Sequence, residues 1–239
     1  MTGDPVLVLI HAFPLDSSMW EPQLEAFPGA LAPDLPGFGT SSGLMTSIAE
    51  GTQAVITAMD AEGVSEAVVL GLSMGGYIAL DLWRTHPDRV RGMVLANTRA
   101  EADDEGGREK RRDLAERLRT EGSGFLVASP PPLLSEQAPP ALADQVRGTI
   151  AAQTAAAIAA ASEAMADRPD STPDLRGISV PVLVINSEND ALIPPDITAR
   201  IADGVPGAVL ETIPAVGHLS NMEAPETFSE LLRSHLERC

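Results

Sequence analysis

The chain has a single cysteine among its 239 residues, and it is the last one, Cys239, so no disulfide can close within the chain. A reducing, cytoplasmic setting is the expectation that follows. Lysine is almost absent, with Lys110 the sole example, and 16 basic residues face 34 acidic ones for a net charge of -18. A surface so acidic repels phosphate backbones and anionic lipid, which argues against nucleic acid or membrane as partners. No apolar run approaches the roughly 20 residues that a membrane-spanning helix needs. Met1-Thr2-Gly3-Asp4-Pro5 lacks a basic region and a small-residue cleavage site, so no secretory signal is expected. Metal-ligand patterns are missing too: the histidines are not spaced as zinc ligands and there is no cysteine cluster. Asp103-Asp104-Glu105 reads as solvated charge, and Gly37-Phe38-Gly39 does not follow a strand as a dinucleotide-binding loop would. No metal and no cofactor are expected.

What is present is a regular alternation. Short apolar runs at Val6–Ile10, Leu31-Ala32, Val68–Leu70, Val90–Leu95, Val180–Ile185 and Val209–Ile213 read as strands, most of them covered on both faces. Helical patterns fall between them at Met19–Ala26, Thr46–Glu62, Met74–Thr85, Pro195–Ala202 and Pro225–Glu237. Strand–helix alternation of this kind predicts an α/β fold, a doubly wound, mostly parallel sheet with right-handed crossovers. From about Thr98 to Gly177 the rhythm stops. A mixed-charge helix at Glu101–Arg119, two proline clusters and one Ala-rich helix at Ile150–Ala166 suggest an inserted helical cap. The expected organisation is a core of residues 1–97 and 178–239 with a cap (lid) at 98–177.

One segment carries chemistry. Gly71-Leu72-Ser73-Met74-Gly75-Gly76 follows the run Ala67–Leu70 and opens an apolar helix. A strand that turns sharply into a helix through Gly-x-Ser-x-Gly presents the serine hydroxyl at the top of a parallel sheet, where a histidine can activate it. Of four histidines, His86 suits a helix end and His235 a surface or packing role. His11 follows the first strand and His218 the last, and loops at the carboxyl ends of parallel strands are where such sheets collect their chemistry. His218 is the expected base. The orienting acid should come from the loop Ser187-Glu188-Asn189-Asp190; Asp190 is the choice and Glu188 the fallback. Backbone N–H groups of Phe13 and Met74 would form the oxyanion hole. Phe13, Trp20, Met74, Phe125, Leu126, Leu192 and Met222 are candidate pocket walls.

His11-Ala12-Phe13-Pro14, Asp34-Leu35-Pro36-Gly37-Phe38-Gly39-Thr40-Ser41, the Ser73 turn, the Asp190 loop and Gly217-His218 occur in that order. In this the chain resembles the α/β-hydrolases over nearly its whole length. It is most similar to the branch of small carboxylesterases, 3-oxoadipate enol-lactonases and cofactor-free haloperoxidases. The resemblance implies a helical cap in the strandless interval, and the serine argues against the epoxide hydrolases and haloalkane dehalogenases, which carry aspartate there. Two departures stand out. Ala12 replaces the glycine usual after that histidine, which would slightly constrain the oxyanion loop. The first strand begins at Val6, so the two N-terminal strands of the fold are missing, leaving six parallel strands in the order 2-1-3-4-5-6. The edge thereby exposed is a candidate surface for a homo-oligomer.

The reading is a serine hydrolase that cleaves a small-molecule ester or lactone through an acyl-enzyme on Ser73. Three alternatives stay open: an enol-lactonase, for which Arg99 or Arg108 would meet an anionic substrate; a perhydrolase or lyase use of the same triad; and a ligand-binding protein on the same scaffold.

Overall fold

The computed structural model describes residues 5–239, so Met1 to Asp4 of the N-terminal stretch lie outside the described residues. Five strands form one sheet in the order β1-β2-β3-β4-β5: Leu7–Ile10, Ala67–Leu72, Val90–Ala96, Val182–Ser187 and Val209–Ile213. Every pairing is parallel, with Leu7 opposite Val68, Val69 opposite Met93, Val94 opposite Leu183 and Val184 opposite Leu210. β1, β2 and β4 are buried along their whole length and β3 at all but one position, as strands sandwiched between helix layers must be. β5 is the exception, with Leu210, Glu211 and Thr212 exposed at the edge of the sheet.

The six-strand expectation is corrected by one. Leu31 makes a single parallel bridge to Val8, donating to the Leu7 carbonyl and accepting from the Leu9 N–H, each at 2.8 Å. Pro33 follows two residues later and has no N–H to extend a ladder, so the segment stops at one bridge. That bridge still covers the outer edge of β1 at its centre.

The helices flanking the sheet are α1 (Glu21–Ala26), α2 (Ile48–Ala61), α3 (Met74–Thr85), α8 (Pro195–Gly204), α9 (Ser220–Glu223) and α10 (Pro225–Leu236). Ser47 caps α2 by accepting the Glu50 N–H at 3.2 Å. His235, on α10, is buried, and burial pushes its imidazole down to about 4; Cys239 beyond it packs against Gly92 of β3.

Between β3 and β4 lie only helices among the described residues: α4 (Glu105–Glu121), α5 (Gly124–Ala128), α6 (Pro140–Ala152) and α7 (Ala155–Ala166). The single helix expected over Ile150–Ala166 is two. Thr154 caps α7 by accepting the Ala157 N–H at 3.1 Å, an interaction that holds the residue out of helical conformation. Gln153 at the break accepts from the Gly39 N–H at 3.0 Å and donates to Asp16 at 2.8 Å, which ties this insert to two loops of the sheet domain. The alanine run of α7 is buried and presses on α4, where small side chains allow close approach; Ser162 of α7 donates to the Arg111 carbonyl of α4 at 3.0 Å.

The reading of Asp103 as solvated charge is also corrected. Asp104 caps α4 and is exposed, but Asp103 is buried and accepts from Arg111 and, at 2.8 Å, from Arg168. Burial alone would raise its carboxyl, yet the two guanidiniums hold it down at about 2. Arg168 is itself buried and lies 4.2 Å from the Tyr77 ring centroid, so sequence-adjacent acids here have opposite fates. No helix among the described residues is long and apolar enough to cross a membrane.

Candidate active site

The site assembles at the carboxyl ends of all five strands, β1 to β5. Ser73, between β2 and α3, has φ of +56°, a conformation that costs a non-glycine residue free energy and persists only when its surroundings impose it. They do. The Ser73 N–H donates to the Ala96 carbonyl of β3 at 3.0 Å, and the Thr98 hydroxyl donates to the Ser73 carbonyl at 2.8 Å. A Cβ at Gly71 would collide with the backbone of Gly75, one at Gly75 with the Ile10 carbonyl, and one at Gly76 with the Thr98 side chain. The turn therefore requires glycine at Gly71 and Gly75 because backbone lies in contact there, and at Gly76 because the Thr98 side chain fills the space.

His218 follows β5 and sits buried in the loop before α9, with Nδ1 2.7 Å from Asp190 Oδ2. An ionised carboxylate accepts, so Nδ1 carries the proton and Nε2 is free. Asp190 follows β4 and is also buried. Its Oδ1 accepts the N–H groups of Leu192 and Ile193 at 2.9 Å each, and its Oδ2 accepts a second bond from Asn97 Nδ2 at 3.0 Å. Burial opposes ionisation, but His218 and these donors outweigh it and hold the carboxyl below its ordinary range. Glu188, the fallback acid, points elsewhere: exposed, it accepts the Ala215 N–H at 2.9 Å.

His11 is buried after β1 with both ring nitrogens engaged. Nε2 accepts the Leu35 N–H at 3.0 Å, and Nδ1 donates to the Ala12 carbonyl at 3.1 Å. Burial lowers its pKa, so the neutral ring acts as a strut between two loops. Ala12 is fully buried and does not adopt a left-handed backbone, so alanine in place of glycine imposes no strain there, contrary to expectation. The adjacent loop is closed by Asp34, which accepts from the Ser17 and Thr40 N–H groups at 2.9 and 2.8 Å and fills the space a Cβ on Gly39 would need.

Ser73 and His218 line one cavity of about 240 Å³, together with Phe13, Leu126 and Leu192. Four expected wall residues, Trp20, Met74, Phe125 and Met222, lie outside its lining and are corrected. Trp20 is fully buried against Phe228, with ring centroids 6.1 Å apart, because it plugs the α1–α10 contact. Phe125 lies under the Arg117 guanidinium at 3.8 Å, and Met222 packs at the edge of the core. Met74 presents its backbone at the start of α3 while its side chain is core. Of the two arginines considered for an anionic substrate, Arg108 is exposed and Arg99 lines the cavity; Arg111, one helical turn beyond Arg108 along α4, lines it too. The helical insert closes the cavity with Leu114, Leu133 and Met165. It docks on the histidine loop through Glu223, which accepts from Ser135 and Gly217 N–H groups at 3.0 and 2.9 Å.

Sequence reasoning missed Asn97. It directly follows β3 with φ of +46°, donates to Asp190 at 3.0 Å and to Ser187 Oγ at 2.8 Å, and accepts from Ser220 Oγ at 2.7 Å. Its position after a strand and its tolerance of left-handed backbone were available signals.

The family model "Alpha/beta hydrolase family" matches residues 7–231. The chain belongs to the α/β-hydrolase family. A structure of a thermophilic esterase from Thermogutta terrifontis with malate bound superposes with a TM-score of 0.93 at 35% identity, covering 99% of this chain and 91% of that one. The enol-lactonase from Burkholderia xenovorans LB400 gives 0.87 at 26% identity over 98% and 92%. Among curated sequences, a 2-hydroxy-6-oxononadienedioate/2-hydroxy-6-oxononatrienedioate hydrolase of a Pseudomonas species is 27% identical over 99% of this chain and 89% of its own. This α/β-hydrolase is thus a hydrolytic enzyme with a sheet of five strands.

Proposed function

We propose that the chain is a serine hydrolase acting on small carboxylic esters or lactones through an acyl-enzyme on Ser73. The observation that carries this reading is the buried Asp190–His218 pair at 2.7 Å, opening onto the same cavity as Ser73. Asp190 fixes the tautomer in which Nε2 faces outward as a base. Nε2 takes the Ser73 proton as Oγ attacks the carbonyl, and the Met74 and Phe13 amides stabilise the oxyanion. The imidazolium then protonates the departing alkoxide. Water, activated by the same nitrogen, attacks the acyl carbon and frees Ser73. Residues 98–177 act as the cap that shapes the acyl pocket, over a core of 1–97 and 178–239. The esterase and enol-lactonase among the relatives support ester and lactone carbonyls as the substrate class.

The test is turnover of a p-nitrophenyl ester chain-length panel by the wild type and by Ser73→Ala. The reading requires hydrolysis of at least the short esters, and a loss of about 10³-fold or more in the variant. A wild type that cleaves none of them contradicts it.

A further inference from the structure

In a chain with net charge -18, the cavity at Ser73 is lined by two arginines and, among the described residues, by no aspartate or glutamate. The two arginines differ in what they hold. Arg111 is bound to Asp103, whose other oxygen serves Arg168, so one carboxylate is shared by two guanidiniums. Arg99 has no hydrogen bond or ion pair among the described residues, and its Nε is buried without a partner. Glu101, the nearest acid along the chain, pairs with Arg200 at 3.4 Å.

The backbone on both sides of Arg99 is pinned. Thr98 donates its hydroxyl to the Ser73 carbonyl at 2.8 Å, and its own carbonyl accepts from Thr198 at 2.9 Å; the Ala100 carbonyl accepts from the Ser171 N–H at 2.8 Å. The chain carrying Arg99 is therefore fixed at the cavity that Ser73 also lines, and the side chain's Nε has no partner there. A buried, unpaired arginine donor is costly unless a ligand satisfies it, and the planar fork matches a carboxylate.

We propose that Arg99 is a carboxylate subsite, and that the preferred substrates are esters whose acyl part carries a second, ionised carboxyl group, such as monoesters of short dicarboxylic acids. This rests on the reading of Ser73 as the reacting residue. Of the apolar wall, Leu114, Leu126, Leu133 and Met165 would hold the methylenes between the two carboxyl groups.

Binding without turnover tests it. Calorimetric titration of the full-length Ser73→Ala protein with monomethyl glutarate and with dimethyl glutarate should show the anionic monoester bound at least tenfold more tightly. Adding Arg99→Gln should abolish that preference, and Arg99→Lys, which keeps the charge without the fork, should retain part of it. Equal binding of the two esters by Ser73→Ala, or an unchanged preference in both Arg99 variants, overturns the proposal. The first of these comparisons needs no substitution at Arg99, so a variant that fails to fold does not remove the test. If the preference is present while the wild type hydrolyses no ester, the catalytic reading fails and the subsite stands.

Discussion

Asn97 donates its side-chain amide to Asp190 Oδ2 at 3.0 Å, so the carboxylate that orients His218 is itself oriented from the end of β3. The same amide carbonyl accepts the Ser220 hydroxyl, which links the strand end to the helix just after His218. Hydrogen bonds to charged groups are worth about 1.5–3 kcal/mol. If Asp190 needs this bond to hold the base, Asn97→Ala should lower kcat by about 10- to 100-fold with KM changed little. Asn97→Asp should do worse, because two carboxylates would then meet. Steady-state kinetics on a short ester decides it, and an unchanged kcat in both variants removes Asn97 from the site's support.

Exchanging the two acids of the loop after β4 separates their roles. Asp190→Asn should cost several orders of magnitude in kcat, since an amide can donate to Nδ1 and stabilise the wrong tautomer. Glu188→Gln should stay within a few-fold of wild type, because Glu188 only accepts the Ala215 N–H at the surface. The reverse pattern would make Glu188 the orienting acid.

Asp103→Asn should be a stability variant. It leaves the buried guanidinium of Arg168 without its counter-charge, a change worth on the order of 3–5 kcal/mol. The sign with pH follows from the depressed carboxyl: its contribution is complete above about pH 4 and is lost as pH falls through about 2. Urea denaturation at pH 7 measures the loss. A shift below 1 kcal/mol would show that the ion pair offsets only its own desolvation.

His235 predicts a second pH effect in a different window. Buried and held down at about 4, it stays neutral in the folded chain while the unfolded chain takes up a proton below about 6.5. Stability attributable to it is therefore intact above pH 6.5 and falls as pH drops towards 4, by on the order of 2 kcal/mol at pH 5. Comparing denaturation midpoints at pH 7.5 and 5.0, wild type should lose more than His235→Gln. Equal losses would mean that His235 titrates normally.

Much of this was legible in the sequence because the relevant physics is local. The Ser73 turn is set by three glycines and a preceding strand, and α3 begins and ends where the apolar pattern does, at Met74 and Thr85. That Asp190 and His218 meet was readable because strand ends mark where a parallel sheet presents side chains. What was not legible depends on partners distant in sequence. Asp103 and Asp104 look alike along the chain, and only Arg168, 65 residues away, separates a buried ion pair from an exposed cap. Trp20 looked like pocket lining but packs on Phe228, and the break at Gln153 depends on Gly39 and Asp16. Leu31-Ala32 has the composition of a strand, but Pro33 has no N–H to carry its ladder beyond one bridge.

The central claim is that Ser73 is a nucleophile activated by His218, and covalent labelling tests it most directly. Wild-type protein treated with a fluorophosphonate and mapped by peptide mass spectrometry should carry one adduct, on Ser73. The adduct should be absent in Ser73→Ala and should form at least 100-fold more slowly in His218→Gln. No adduct on Ser73, or labelling of Ser73 at the same rate in the histidine variant, would contradict the account.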